Sequence, residues 1–213
     1  MVDIAHFMIT GLAMSEVGAV ATRVASHWPW YITRAAGFTA AGLLILLMLS
    51  GIGQVTGLTY RFIEPVKAWV VHKTLAIALC VAIAMHVLFL VFDEFLPFTL
   101  PQIFVPFMSH YSNGTKLFGW DLRTLVMALG IFAAYCVAVV VLSSLGWINT
   151  KKKTWHQLHY LSYFVMLAVF VHALGAGSDL KYGLFREAWV AVGLVLVLAI
   201  VSRLWRARTL SKH

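Results

Sequence analysis

Charge is scarce in this chain. Asp, Glu, Lys and Arg make up 11% of its 213 residues, while 62% are hydrophobic; an ordinary soluble domain is roughly 25% charged. That balance excludes a water-soluble fold and defines an integral membrane protein. The length suffices for five or six spans and their loops, and leaves no room for an additional nucleotide- or flavin-binding domain. Whatever supplies electrons or ligand is therefore expected on another molecule.

Other signatures are missing too. There are two cysteines, Cys80 and Cys136, both in apolar stretches, where they read as small buried thiols. Gly51, Gly53 and Gly57 do not form a dinucleotide fingerprint, because no strand precedes them and they end a membrane-length run. No Ser-His-Asp or zinc-ligand arrangement, internal repeat or low-complexity tract stands out. Acidic residues number 8 against 16 basic ones, but the basic residues gather at span ends and in alternate loops. That distribution marks membrane topology and not nucleic-acid binding.

Five segments have the hydropathy of a transmembrane helix: Ile32 to Gln54, Trp69 to Phe92, Leu122 to Ile148, Trp155 to Ala176, and Leu184 to Trp205. The loop after the first carries Arg61 and Lys67, the loop after the third Lys151, Lys152 and Lys153, and the tail Arg203, Arg206, Arg208 and Lys212. These ends are expected in the cytoplasm. The second loop, with Asp93, Glu94, Lys116 and Asp121, and the fourth, with Asp179, Lys181, Arg186 and Glu187, then face outward. Residues 1–30 read equally as a further span or as an interfacial helix with Trp28 and Trp30 at the boundary, since Glu16 and Arg23 interrupt the apolar run. Without a basic n-region they do not read as a cleaved signal peptide.

Against this apolar background stand two pairs of histidines. His72 and His86 are fourteen residues apart in the second span, and His159 and His172 thirteen apart in the fourth. At ~1.5 Å per residue, each pair is separated by roughly 20 Å along a helix axis. The topology makes these two spans parallel. His72 lies five residues after Lys67 and His159 six after Lys153, while His86 and His172 each lie seven residues before an aspartate, Asp93 and Asp179. The four therefore sort into an inner and an outer pair, the pattern of a two-haem conduit. Neutral imidazole is a good axial ligand for haem iron, and two per iron leave no open position, which favours electron transfer over direct oxygen binding.

The spacing of thirteen raises a geometric difficulty. Fourteen residues are nearly four turns, so His72 and His86 share a face, but thirteen leave His159 and His172 rotated apart by roughly 140° on an ideal helix. Local overwinding or a distorted turn is needed to bring both to one side. His156 does not resolve this and reads as a supporting or surface residue. Phe164 and Met166, midway between His159 and His172, are candidates to fill the space between two cofactors. Haem propionates want basic partners near the membrane faces; Arg34 is the outer candidate by depth, with Lys73 and Lys151 to Lys153 on the inner side. Asn113-Gly114-Thr115 fits a glycosylation acceptor or a plain turn, and His110 and Tyr111 are too isolated to assign.

The run Trp155-His156-Gln157-Leu158-His159-Tyr160-Leu161-Ser162-Tyr163, followed by His172 and Gly177-Ser178-Asp179, resembles the second histidine helix of the ferric reductase-like transmembrane domain. That superfamily includes ferric reductases, NADPH oxidases and the membrane haem subunit of periplasmic methionine sulfoxide reductase. The sequence around His72 and His86, and Thr33-Arg34-Ala35-Ala36-Gly37, fit as well, so that the resemblance covers about Tyr31 to Arg206. It implies an all-α bundle of five or six transmembrane helices with two stacked b-type haems as cofactors, His72 and His159 on the cytoplasmic iron, His86 and His172 on the exterior one. Residues 31–206 would form the haem-binding domain and 207–213 a basic cytoplasmic tail. The implied role is the haem-bearing oxidoreductase component of a chain in the plasma membrane, with no catalytic residue of its own. Electrons would come from a flavin (FMN or FAD, on a partner or bound at the cytoplasmic side), a flavoprotein or a quinol, and go to ferric iron, a partner protein or oxygen. Lacking the FAD and NADPH domain of fused reductases, the chain also fits an anchor in a larger complex. The rival from another class is a non-redox bundle, a small transporter or assembly subunit, whose histidines line a proton or metal-ion path.

Overall fold

The computed structural model describes residues 2–93, 98–109, 114–117 and 119–210. The readings of Glu16, Arg23, Glu94, His110, Tyr111, Asn113, Arg206, Arg208 and Lys212 fall on residues or side chains outside those described. Among the described residues the protein is helical apart from one short pair of strands. In chain order it comprises α1 (Val2–Thr56), α2 (Pro65–Leu90), the short α3 (Leu100–Phe104), β1 (Lys116–Leu117) paired antiparallel with β2 (Trp120–Asp121), α4 (Leu122–Trp147), α5 (Lys152–His159), α6 (Leu161–Ala176) and α7 (Leu184–Leu210).

Among the described residues, five helical stretches are long and apolar enough to cross a membrane: His27–Thr56, Pro65–Leu90, Leu122–Trp147, Lys152–Ala176 and Leu184–Arg203. Each contains one of the five spans expected from hydropathy, apart from a few residues at the ends. Only 11 to 22% of their apolar windows is buried inside the protein, which in water would leave most of five hydrophobic helices unburied. A hydrocarbon surround removes that cost, and helices satisfy their own backbone groups within it. This is an all-α, multi-pass integral membrane protein.

The N-terminal stretch continues as helix into the first span, with a kink where His27 leaves helical geometry (φ −119°, ψ 16°) two residues before Pro29. Proline cannot donate to the preceding turn, which accounts for the break. At the other end, α7 runs on to Leu210, so the backbone stays helical into the expected tail.

The core joins Leu44 and Met48 of α1, Leu79 of α2, Ala133 and Val137 of α4, Val165, Met166, Ala168 and Phe170 of α6, and Leu196 and Ile200 of α7. Small residues bring the helices together, as expected where packing and not water drives association. A Cβ at Gly175 would stand 2.6 Å from Val126, and one at Gly193 2.8 Å from Phe170. Met166 is wholly buried, whereas Phe164 is exposed. The loop between α2 and α4 holds structure that hydropathy did not announce. Tyr135 donates to the Phe104 carbonyl at 2.5 Å, Thr124 to that of Ser109 at 3.1 Å, and Asp121 caps α4 by accepting from the Arg123 amide at 2.9 Å.

Candidate functional site: paired histidines in a helical cradle

His72 and His159 face each other with ring centres 6.4 Å apart, and His172 lies within electrostatic reach of His86. First pairs with first and second with second, which requires the two histidine-bearing segments to run parallel. The His72–His159 level lies toward the end that carries Lys151 to Lys153, here the lysine end. The other level lies toward Asp179, the aspartate end.

A distorted turn lies between the two histidines and supplies part of the rotation that thirteen residues demand. The fourth span is divided at Tyr160 into α5 and α6. There the Tyr160 amide donates to Gln157 at 3.2 Å and the Tyr163 amide to Tyr160 at 3.1 Å. These three-residue hydrogen bonds wind the chain by about 120° per residue in place of about 100°. The added rotation has the sign needed to carry His159 toward the face of His172.

Each of three imidazoles is held by its Nδ1. His86 Nδ1 lies 2.8 Å from the Thr33 carbonyl, and His172 Nδ1 lies 2.9 Å from that of Val126. A carbonyl only accepts, so both rings donate through Nδ1 and keep the Nε2 lone pair free for a metal. His72 Nδ1 lies 2.7 Å from the Ser50 hydroxyl. His159 differs: its Nδ1 is buried and has no hydrogen-bond partner among the described residues.

A glycine makes room for each of the three held rings. One helical turn after Thr33, a Cβ on Gly37 would come within 3.1 Å of His86 Nδ1. One turn after Val126, a Cβ on Gly130 would lie 2.6 Å from Nδ1 and Cε1 of His172. Beside Ser50, a Cβ on Gly51 would meet His72 Cε1 at 3.3 Å. Thus α1 cradles the histidines of α2, and α4 cradles His172 of α6. Sequence reading placed none of these supports, although Gly37 and Gly51 repeat the fourteen-residue interval of His86 and His72, a signal that was there to be used.

A cavity of about 450 Å³ opens at the lysine end, walled mainly by apolar side chains of α1, α2, α4 and α6 and containing His72 and His159. That volume is within the range of cofactor sites. His156 is exposed at its rim, stacked between Trp155 and Tyr160. Trp155 in turn donates to the Ser144 hydroxyl at 3.0 Å. Lys73 lines the cavity with its ammonium 5.4 Å from the Trp69 ring centre. At the aspartate end, Arg34 pairs with Asp179 and lies 4.0 Å from the Trp30 ring centre, so the outer cation singled out by depth is engaged by a carboxylate of the α6–α7 connection. Arg203, read from sequence only as a topology marker, lines the lysine-end cavity.

The donor set tests which metal group would fit. Among the described residues no three His, Cys, Asp or Glu converge on one point, so the protein offers paired imidazoles and not a closed coordination shell. A pair suits a metal whose other positions are filled by a planar ligand of its own, as in haem. Metal–nitrogen bonds of about 2 Å, with about 1 Å from each nitrogen to its ring centre, put such rings about 6 Å apart. The observed 6.4 Å fits.

The fold is a multi-pass membrane bundle in which His72 and His159 face each other toward one end and His86 and His172 lie toward the other. A family model described as ferric reductase like transmembrane component matches residues 36–170, more than half the chain. The protein belongs to the ferric reductase-like transmembrane family, and membership suggests electron transfer across the membrane in general. The matched region holds His72, His86 and His159 and stops two residues short of His172. No curated protein and no solved structure matched.

Proposed function

We propose that this chain is a membrane cytochrome b, the electron-carrying component of a ferric reductase-like system. His72 and His159 would hold one b-type haem near the cytoplasm, and His86 and His172 a second near the exterior. The observation that carries this reading is the facing of His72 and His159 across 6.4 Å, with His86 and His172 held through Nδ1 by Thr33 and Val126 nearer the other end. When bound, two haems would supply one-electron carriers at two membrane depths.

The chain's own residues fix the rest. The carbonyls of Thr33 and Val126 set ring orientation and tautomer, and the Ser50 hydroxyl holds His72. With two imidazoles on one iron, each site would favour electron transfer over direct oxygen binding. Leu44, Met48, Ile77 and Val137 give the inner site an apolar lining. By the positive-inside rule, Lys151 to Lys153 and the C-terminus are cytoplasmic in the plasma membrane, so electrons enter at the lysine end from a flavin, flavoprotein or quinol and leave at the aspartate end for ferric iron, a partner protein or oxygen.

The deciding experiment is a dithionite-reduced minus oxidised absorption spectrum of the detergent-purified chain, with haem quantified against protein. Two b-type haems per chain are expected. Absence of haem from a folded sample expressed with ample haem would overturn the reading in favour of a non-redox bundle.

A further inference from the structure

The lysine-end cavity has a charge imbalance that its histidines do not explain. Arg203 of α7 contributes to its wall, and the Nε of that guanidinium is buried without a hydrogen-bond partner among the described residues. The guanidinium carbon lies 5.4 Å from the Tyr163 ring centre, a contact that supplies no acceptor. Lys73 lines the same cavity, yet none of the lining residues is Asp or Glu. The described ion pairs are Arg34–Asp179 and Lys67–Glu64, and neither involves Arg203 or Lys73.

A buried N–H donor that binds nothing carries a desolvation cost, here borne by one nitrogen of a partly buried guanidinium. A guanidinium presents a planar fork that matches a carboxylate, and cannot escape the cost by losing its proton. We infer that Arg203 binds a carboxylate of the group that fills this cavity, and that its charge raises the ease of reduction of the site at His72 and His159. The inference rests on the two-haem reading, in which the carboxylate is a haem propionate. Arg203 is a positioning and tuning residue, since it acts through the ligand's carboxylate. Reduction adds one electron to the iron and makes the site more negative by one charge. A nearby fixed cation favours that state, and its removal disfavours it.

The test compares wild type with Arg203→Gln and Arg203→Lys, each purified in detergent as the full chain, by haem content and by redox titration of the haem absorption. In Arg203→Gln, one of the two midpoint potentials should fall by a tenfold or greater shift in the reduction equilibrium, about 59 mV for one electron, and the other should stay. Arg203→Lys should retain most of the wild-type value. Loss of one haem from the Gln variant alone would also support the anchor. If Arg203→Gln does not accumulate, Arg203→Met carries the same expectation. Two unchanged potentials, or equal shifts in the Lys and Gln variants, would overturn the role of charge while leaving two haems in place. A wild-type chain without haem would instead remove the reading on which the inference rests.

Discussion

One methyl group added at Gly130 should dislodge His172. An ideal Cβ there stands 2.6 Å from both Nδ1 and Cε1 of the ring, whereas relaxed contacts lie at about 3.5–4.0 Å. The overlap is about 1 Å. The ring cannot yield by that amount and keep its 2.9 Å hydrogen bond to Val126. Overpacking of this kind costs about 1–3 kcal/mol, and loss of the partner that orients a metal-binding histidine costs about 10- to 100-fold in affinity. Helix propensity returns only about 0.5–1 kcal/mol for Gly→Ala.

Gly130→Ala should therefore weaken haem retention at the aspartate-end level by about tenfold or more. Gly37→Ala, with 3.1 Å to His86, should weaken that level less, and Gly51→Ala, with 3.3 Å to His72, should weaken the lysine-end level least of the three. Gly42 and Gly146 have nothing within 4 Å of a built Cβ, so Gly42→Ala and Gly146→Ala serve as controls with full haem. The assay is haem per chain after detergent purification, alongside thermal unfolding. A Gly130→Ala protein with the same haem content and unfolding temperature as Gly42→Ala would refute the argument that the glycine exists to admit the ring.

Three further outcomes are expected. His72→Ala and His159→Ala should each abolish the same spectral component, while His86→Ala and His172→Ala each abolish the other; complementary loss in any crossed pair would break the assignment. Ser50→Ala should weaken only the His72 level, by roughly 10- to 100-fold in haem affinity, and equal loss at both levels would show that the hydroxyl acts through the fold. In cells, a cysteine introduced by Lys181→Cys should be labelled by an impermeant maleimide from outside and one introduced by Lys152→Cys only after lysis; the reverse pattern would invert the direction of electron flow.

Hydropathy and charge made the membrane architecture legible because both are properties of whole segments. Uncharged runs of membrane length mark spans wherever the surrounding solvent is hydrocarbon, and the five expected spans coincide with the five helical ones. The approach of His72 and His159 was legible for a related reason. Depth in a membrane is a linear coordinate, so distances from Lys67, Lys153, Asp93 and Asp179 along the sequence translate into levels in space. The small structure between α2 and α4 was not legible. Asp121 stabilises it by accepting from the Gly114 and Arg123 amides, and Tyr135 by donating to the Phe104 carbonyl, scattered bonds that leave no periodic trace.

The supports of the histidines belong to another category again. A carbonyl is present at every residue, so nothing in the sequence distinguishes Thr33 or Val126 as an acceptor. What can distinguish them is the glycine one turn later, because a ring reaches a carbonyl on the flank of a helix only where the next turn lacks a Cβ. On α1 the interval from Gly37 to Gly51 equals that from His72 to His86, as two antiparallel helices in continuous contact require. On α4 the same logic starting from Gly130 leads thirteen residues on to Ser143, which is buried and donates to Val140, and not to a partner for His159. The interval of thirteen and the break at Tyr160 thus belong together: the chain overwinds there and turns His159 part of the way toward its pair, and among the described residues the Nδ1 of that ring has no support like that of the other three.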